Sequence, residues 1–211
     1  MKTKRAISGI FYVIFMWLMT TYSINTFTIL FLFIAILSIY EMHKLRRKKT
    51  KILAYAYILI PFLLIHFFGM LDSDYAESPF DSSIILLMFL LTWTFDTFAY
   101  IVGTQYGKHK IMPSISPKKS WEGFIGGSIF TCIMSYLTYS YFDTISLAKI
   151  VIISLIIPFT ASIGDFIASY YKRQAGVKDS GKLIPGHGGI IDRIDSFMIT
   201  IPCIYIINNI F

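Results

Sequence analysis

The sequence predicts an all-α, polytopic integral membrane protein with about seven transmembrane helices and a cytoplasmic N-terminus. Of its 211 residues, 55% are hydrophobic and only 15% are charged, against roughly 45–50% and about 25% in a typical soluble domain. Long apolar runs recur along the whole chain, and most cations fall in short segments between them. These observations exclude a disordered chain, a collagen-like chain and a disulfide scaffold, and argue against a secreted soluble enzyme.

Seven runs are long and apolar enough to cross a bilayer, which takes about 20 mainly apolar residues in a helix. The first run follows a basic N-terminus but has no small-residue cleavage site after it, so we interpret it as an uncleaved helix. The seven runs are 6–22, 25–41, 52–70, 83–104, 121–142, 147–170 and 191–211. We expect residues 1–82 to form a scaffold and residues 83–211 to form the catalytic region with its two basic cytoplasmic loops.

The distribution of cations predicts the orientation of the chain. In a seven-span arrangement, the N-terminus and the segments after spans two, four and six lie on one side, and they hold 17 of the 19 Lys and Arg residues. The positive-inside rule places that side in the cytoplasm and the C-terminus outside, as expected for a multi-pass protein of the cell (inner) membrane. Because these cations flank apolar runs, the net charge of +7 indicates membrane lipids and phosphates as partners, and no nucleic acid.

Acidic residues within or beside the apolar runs are the strongest functional signal. A charge at the centre of a membrane helix costs about 2.5–3.5 kcal/mol on insertion scales, so such residues usually mark functional sites. In this chain they are Asp96, Glu122, Asp165, Asp192 and Asp195. Each falls in the cytoplasmic half of its predicted span, so we expect these side chains to meet in one cavity open to the cytoplasm.

Two of these acids have the spacing of a metal site. Asp192 and Asp195 are three residues apart and therefore share a helix face, and Asp165 would approach them from another helix. Carboxylates that converge in this way suit a hard cation such as Mg²⁺. The alternative interpretation is a set of interhelical ion pairs with Lys172 and Arg193.

Two loops between spans have the composition of phosphate-binding segments. The loop after span six contains Lys178, Lys182 and a glycine-flanked His187, and glycines let backbone N–H groups approach phosphate oxygens closely. The loop after span four contains the run 116–120, which reads S-P-K-K-S. The glycine pairs Gly103/Gly107 and Gly123/Gly127 have the spacing that lets membrane helices pack closely, which is compatible with a homodimer.

At these residues the sequence resembles the phosphatidate cytidylyltransferase (CDP-diacylglycerol synthase) family. Residues 169–195 read S-Y-Y-K-R-Q-A-G-V-K-D-S-G-K-L-I-P-G-H-G-G-I-I-D-R-I-D and follow the family signature S-x-x-K-R, four residues, K-D-x-G-x-x-[LIF]-P-x-H-G-G-x-x-D-R-x-D. Residues 96–103 and 116–123 resemble its D-x-x-A-Y-x-x-G and S-P-K-K-[ST]-x-E-G blocks, and Gly164-Asp165 matches its G-D. The resemblance covers roughly residues 83–211. Tyr171 departs from the aliphatic residue that is usual there.

The resemblance implies the reaction CTP + phosphatidate → CDP-diacylglycerol + pyrophosphate, with Mg²⁺ and, as an open alternative, a second cation. It implies that Asp165, Asp192 and Asp195 hold the metal, and that the CTP phosphates face Lys172, Arg173, Lys178 and His187. It further implies that Ser116, Lys118 and Lys119 face the phosphatidate head or the triphosphate, with Asp96 and Glu122 orienting these cations. The same correspondence adds Asp179 to the catalytic residues, and Ser169, Gly188, Gly189 and Arg193 to the substrate-binding residues.

Three other functions were weighed against this one. A CDP-alcohol phosphotransferase is excluded because its D-G-x-x-A-R and G-x-x-x-D-x-x-x-D motifs do not occur in the sequence. A CTP-dependent enzyme acting on another lipid phosphate stays open. An ion-coupled transporter would also carry acids in its spans, but no inverted repeat is visible and the acids lie near one face of the membrane.

Overall fold

The chain folds into a helical bundle in a computed structural model that describes residues 2–46, 51–68, 80–181, 183 and 188–210. The helices are α1 (Lys2–Tyr22), α2 (Ile24–Leu45), α3 (Lys51–Phe67), α4 (Ser83–Tyr106), α5 (Trp121–Thr138), α6 (Leu147–Gln174), α7 (Ile191–Ile194) and α8 (Phe197–Ile210). Two short strands, β1 (Lys110–Met112) and β2 (Ser116–Ser120), lie between α4 and α5. The predicted all-α class is therefore confirmed.

The helices also confirm that this is a membrane protein. Within the described residues, Ile24–Leu45, Ser83–Tyr106 and Leu147–Gln174 are long and apolar enough to cross a bilayer. Three shorter apolar helices accompany them, namely Phe11–Tyr22, Ile52–Phe67 and Phe197–Ile210. Each predicted run is mainly helical in the part that the structure describes, whereas the number of crossings and the orientation stay predictions.

The interior and the outer surface of the bundle are both apolar. Large side chains such as Phe27, Phe89 and Ile157 are fully buried between helices. Others of the same kind, including Phe33 and Leu155, are more than half exposed. A soluble monomer rarely exposes large apolar patches, whereas helices in a bilayer expose apolar side chains to the lipid.

The structure differs from the prediction at the seventh run. The helix stops at Ile194 and starts again at Phe197, so the run 191–211 is not one continuous helix. At the break, the Asp195 carboxylate accepts a hydrogen bond of 3.1 Å from the backbone N–H of Ser196. Short polar side chains compete in this way with helical hydrogen bonds, and the break turns Asp195 towards the neighbouring helices.

A second difference is the antiparallel hairpin formed by β1 and β2, where the sequence predicted only a loop. Its register pairs Lys110 with Ser120 and Met112 with Ser116. The Ser120 side chain then caps α5 by accepting a hydrogen bond of 3.2 Å from the Gly123 N–H, as serine commonly does at a helix start. The hairpin therefore presents Ser116, Lys118 and Lys119 from a folded element.

Glycines bring α4 and α5 into close contact, as their spacing predicted. A Cβ atom on Gly123 would lie 2.6 Å from the carbonyl oxygen of Ala99, and one on Gly127 would lie 2.9 Å from the Cβ of the same alanine. Only glycine allows the two backbones to approach so closely. Because Gly123 and Gly127 face α4 within the same chain, they do not provide a surface for a second copy.

Candidate active site

Four aspartates come together at one end of the bundle. Asp96 is on α4, Asp165 on α6, Asp192 on α7, and Asp195 in the connection between α7 and α8. The carboxyl groups of Asp165 and Asp195 are within hydrogen-bonding reach of each other, and Asp96 is close enough to interact electrostatically with both. Four of the five acids predicted from the sequence to meet in one cavity therefore lie together, and two of them, Asp96 and Asp165, line a cavity.

Lys172 lies between two of the aspartates. Its side chain is almost fully buried, with the ammonium group 2.7 Å from Oδ1 of Asp192 and 3.7 Å from Oδ2 of Asp195. A buried ion of either sign is costly unless a partner neutralises it. Lys172 therefore ties the C-terminal end of α6 to the two acids around α7.

The second oxygen of Asp192 organises the loop that precedes it. This Oδ2 accepts hydrogen bonds from the Ser180 N–H at 2.8 Å and the Gly189 N–H at 2.9 Å, and the Ser180 hydroxyl lies 3.1 Å away. Hydrogen bonds to a charged group are stronger than neutral ones, so these N–H groups and the Lys172 ammonium on Oδ1 hold Asp192 in one orientation.

Glycine is required where the loop passes Asp192. Gly188 has a φ of +83°, a conformation that residues with a Cβ atom rarely adopt. A Cβ atom there would lie 2.6 Å from Oδ2 of Asp192. The glycines at 188 and 189 thus let the backbone come close enough to donate to this carboxylate.

Asp165 belongs to a second ion pair, with Lys119 of β2. The Lys119 ammonium also lies 4.9 Å from the ring centroid of Phe166. This pair borders a cavity of about 280 Å³ between α4, α5, α6 and the hairpin. Its polar lining consists of Asp96, Tyr100, Thr104, Ser116, Lys118, Lys119, Ser120, Ser162 and Asp165, and its apolar lining includes Phe95, Ala99, Ile111 and Phe124.

Two further polar contacts hold this region, and sequence reasoning did not single them out. The Ser196 hydroxyl donates a hydrogen bond of 2.8 Å to Oδ2 of Asp96, joining α4 to the start of α8. The Tyr57 hydroxyl, on α3, donates to the backbone carbonyl of Gly164 at 2.8 Å. A serine directly after the D-R-x-D motif could have been noticed, whereas no signal marked Tyr57 among the other aromatic residues of its span.

The structure places Glu122 against the backbone of the hairpin rather than against Lys118 or Lys119. Its carboxylate accepts hydrogen bonds of 3.1 Å from the N–H groups of Lys108 and His109, and it lies 2.6 Å from Nδ1 of the His109 ring. Glu122 thus fastens the hairpin to the exposed first turn of α5.

The remaining predicted residues are arranged around this centre. Arg173 donates to the carbonyl of Val177 at 2.9 Å, and Lys178 and Asp179 are exposed on the loop that follows α6. Ser169 is half-buried one turn after Asp165, and Arg193 is half-buried on α7. His187 lies outside the described residues.

Glu41, near the end of α2, contacts this region but was not among the site residues predicted from the sequence. Its side chain is only 2% exposed, and its carboxylate accepts hydrogen bonds from the Ser180 hydroxyl and from the N–H groups of Ile190 and Ile191. One signal was available, since Glu41 is the single acid in the sequence of α2. It gave no indication of a partner about 140 residues further along the chain.

The acids have the chemistry of a cation site. Among the described residues, no group of three or more His, Cys, Asp or Glu side chains is arranged to hold a metal ion. Lys172 pairs with Asp192 and Asp195, which is one of the interhelical ion pairs given above as the alternative, and Lys119 pairs with Asp165. Carboxylate oxygens are the donors that Mg²⁺ prefers, so the donor chemistry fits this ion, and the metal site itself stays a prediction.

Comparison with known proteins identifies the relatives of this chain. Residues 50–211 match the sequence profile of a group described as the cytidylyltransferase family. A phosphatidate cytidylyltransferase of Rickettsia bellii is 33% identical over 98% of this chain and 90% of its own length. Proteins of the same name from Staphylococcus saprophyticus and Staphylococcus haemolyticus are 47% and 44% identical over 58% of this chain. Those matches span 48% of the staphylococcal proteins, so the chain covers about half of their length.

Proposed function

The chain belongs to the cytidylyltransferase family, and we propose that it transfers a cytidylyl group from CTP to phosphatidate, giving CDP-diacylglycerol and pyrophosphate for phospholipid biosynthesis. The name shared by its relatives supports this substrate pair. The observation that carries the proposal is the cavity beside the Lys119–Asp165 pair. It combines cations with half-buried acids at the end of apolar helices, where a lipid phosphate and a nucleotide can meet.

The proposed reaction needs little acid–base chemistry. An oxygen of the phosphatidate monoester attacks the α-phosphorus of CTP, a new P–O bond forms, and the bond between the α- and β-phosphates breaks, with its electron pair leaving on pyrophosphate. A phosphate monoester has its second pKa near 6 and is already anionic at pH 7, so no strong general base is required. The barrier lies mainly in bringing two anions together in the correct orientation.

The chain's own residues supply that orientation. Lys119 and Lys118, on the hairpin, border the cavity, so we assign them, with Ser116, to the phosphatidate head or the triphosphate. Lys172 holds Asp192 and Asp195 in place from α6. The exposed Lys178 and Arg173, together with His187, are assigned to the CTP phosphates.

We assign the metal to Asp165, Asp192 and Asp195. When bound, Mg²⁺ would neutralise phosphate charge and stabilise the negative charge that develops on the pyrophosphate leaving group. Asp165 and Asp195 are the pair whose mutual repulsion such a cation would relieve. Asp192 also orients the loop through its Oδ2, while its Oδ1 pairs with Lys172.

We further propose a multi-pass protein of the cell membrane with this site on the cytoplasmic side, where CTP is found. The cavity is lined by α4, α5 and α6, and α4 and α6 are long enough to span the bilayer. The acyl chains of phosphatidate would stay in the lipid while its head enters between these helices.

The test is label transfer into lipid by purified protein in detergent micelles. We expect radiolabel from CTP to enter the organic phase when phosphatidate and Mg²⁺ are present, and not when EDTA is added. The Asp192→Asn variant should lose this activity while remaining inserted and folded. Asp143→Asn, a matched change on an exposed connection at the other end of α6, should retain it.

Two results would contradict parts of the proposal. Full activity of Asp192→Asn, or activity undiminished by EDTA, would overturn the metal assignment. Incorporation into a polyprenyl phosphate or an ether-lipid phosphate, with none into phosphatidate, would reassign the substrate.

A further inference from the structure

The buried carboxylate of Glu41 connects α2 to the loop that carries the signature residues. Oε2 accepts from the Ser180 hydroxyl at 2.7 Å and from the Ile191 N–H at 3.0 Å, and Oε1 accepts from the Ile190 N–H at 2.9 Å. Among these described partners, both carboxylate oxygens are thus engaged by one segment of the chain. The contact is tight, because a Cβ atom on Gly181 would lie 2.5 Å from Oε1.

Glu41 takes the place of the missing N-terminal cap of α7. The first N–H groups of a helix have no partner within the helix and need an acceptor from elsewhere. Ile190, at the N-cap position, provides no side-chain acceptor. Glu41 accepts from Ile190 and Ile191 instead, and its negative charge is favourable at the positive end of a helix. The orientation of Asp192, one residue further on, therefore depends on α2.

Glu41 and Asp192 also compete as acceptors for the single hydroxyl hydrogen of Ser180. The Ser180 hydroxyl lies 2.7 Å from Glu41 and 3.1 Å from Oδ2 of Asp192, but a hydroxyl has a single hydrogen to donate. The shorter distance favours Glu41 as the acceptor. Among the described residues, Oδ2 of Asp192 then accepts hydrogen bonds only from the N–H groups of Ser180 and Gly189. Its negative charge is therefore stabilised by one hydrogen bond fewer than it would be without Glu41.

We propose that Glu41 is a positioning residue for the site. It fixes Ser180, Ile190 and Ile191, draws the hydroxyl hydrogen of Ser180 away from Asp192, and acts on the site through these residues. Glu41 precedes residues 50–211, the part of the chain that matches the family profile, so the signature alone does not reveal it. The expected change in kinetics rests on the proposed function, whereas the expected change in hydrogen exchange does not.

The test combines hydrogen–deuterium exchange with kinetics in detergent micelles. In Glu41→Gln the amides of residues 180–191 should exchange at least about tenfold faster, while those of α4 and α5 are unchanged. Replacing groups that orient ligands commonly costs about 10–100-fold in metal affinity or activity. We therefore expect a rise of about tenfold in KM for CTP with little change in KM for phosphatidate, and Glu41→Asp, which keeps the charge, should recover part of this loss.

The neighbouring Tyr40→Phe is the matched control, because Tyr40 is exposed on the same turn of α2 and its variant should behave as wild type. If Glu41 acts through Ser180, the rise in KM for CTP in the double variant Glu41→Gln/Ser180→Ala should be smaller than the product of the rises in the two single variants.

Wild-type exchange and wild-type KM for CTP in Glu41→Gln would overturn the proposal, and so would faster exchange spread evenly over all helices. Should Glu41→Gln fail to fold, Ser180→Ala carries the test, and unchanged exchange of residues 180–191 in that variant overturns it. Localised exchange in a protein whose wild type lacks cytidylyl transfer would support the positioning role and overturn only the proposed function.

Discussion

At the scale of single residues, the site is built from charges that pair with specific partners. Lys119 and Asp165 form a half-buried pair, whereas Lys172, which pairs with Asp192 and Asp195, is almost fully buried. Removing one member of a buried pair typically costs 3–5 kcal/mol, because the other charge is left uncompensated. The consequences of substitution therefore differ sharply between these residues and exposed charges elsewhere.

Lys119→Met tests the pair at the cavity. The change removes a cation from the phosphate-binding wall and leaves the Asp165 carboxylate without its partner. We expect kcat to fall by about 100-fold or more, in line with the loss of one preorganised electrostatic contact. The measurement is label transfer from CTP to lipid. Lys149→Met, at the other end of α6 where Lys149 donates to Asn208, is the matched control, and activity of Lys119→Met within twofold of wild type would contradict the assignment.

Gly188→Ala tests the approach of the loop to Asp192. Gly188 and Gly176 both have positive φ, but a Cβ atom on Gly176 would meet nothing within 4 Å. Both alanine variants should lose about 1–2 kcal/mol of unfolding free energy from backbone strain. Only Gly188→Ala should also lose most of the activity, because its methyl group would displace Asp192. Thermal unfolding and label transfer measure the two effects separately, and equal activity in the two variants would contradict this reading.

The sequence predicted the acids of the site better than it predicted their partners. Asp165, Asp192 and Asp195 stand out because a charged residue in an apolar run is energetically costly and usually has a function. Glu41 and Ser196 do not stand out, since each acquires its role from a helix distant in sequence. Such contacts depend on how the helices pack, which the periodicity of one segment does not specify.

At the scale of elements, composition located the helices well but not the hairpin. Apolar runs predict helices because a bilayer leaves few other ways to satisfy the backbone. The run 108–120 lacks an alternating apolar pattern, so its strands were not foreseen. The hairpin is fixed partly from outside, by the hydrogen bonds between Glu122 and the backbone of Lys108 and His109.

The attachment of the hairpin should depend on the carboxylate of Glu122. Its two oxygens accept hydrogen bonds from the backbone N–H groups of Lys108 and His109, whereas the amide in Glu122→Gln offers one acceptor oxygen and no charge. The amides of Lys108 and His109 should therefore exchange hydrogen for deuterium faster in Glu122→Gln than in wild type.

Asp143→Asn is the control and should exchange as wild type does at these two amides. Equal exchange in Glu122→Gln and in wild type would show that another group holds the hairpin.

At the scale of the whole molecule, the acids, the basic hairpin and the glycine-rich loop gather at one end of the bundle. The other end carries few charges among the described residues, with Asp81, Asp143 and Lys149 near the helix ends there. The positive-inside rule predicts that the end rich in cations lies in the cytoplasm, and this orientation stays a prediction. It matters for the proposed function, because the two proposed substrates, CTP and a lipid phosphate, must reach the same end.

Cysteine labelling measures that orientation directly. In a background with Cys132 and Cys203 replaced by serine, single cysteines are introduced as Asp143→Cys and Lys110→Cys, both at exposed positions. A membrane-impermeant maleimide should label Asp143→Cys in intact spheroplasts and Lys110→Cys only after permeabilisation, because α5 would lie between them across the bilayer. The α5 helix of 18 residues spans about 27 Å at 1.5 Å per residue, close to the hydrocarbon thickness of about 30 Å. Labelling of both positions from outside would show that α5 does not cross, and the reverse pattern would place the site on the outer face, away from cytoplasmic CTP.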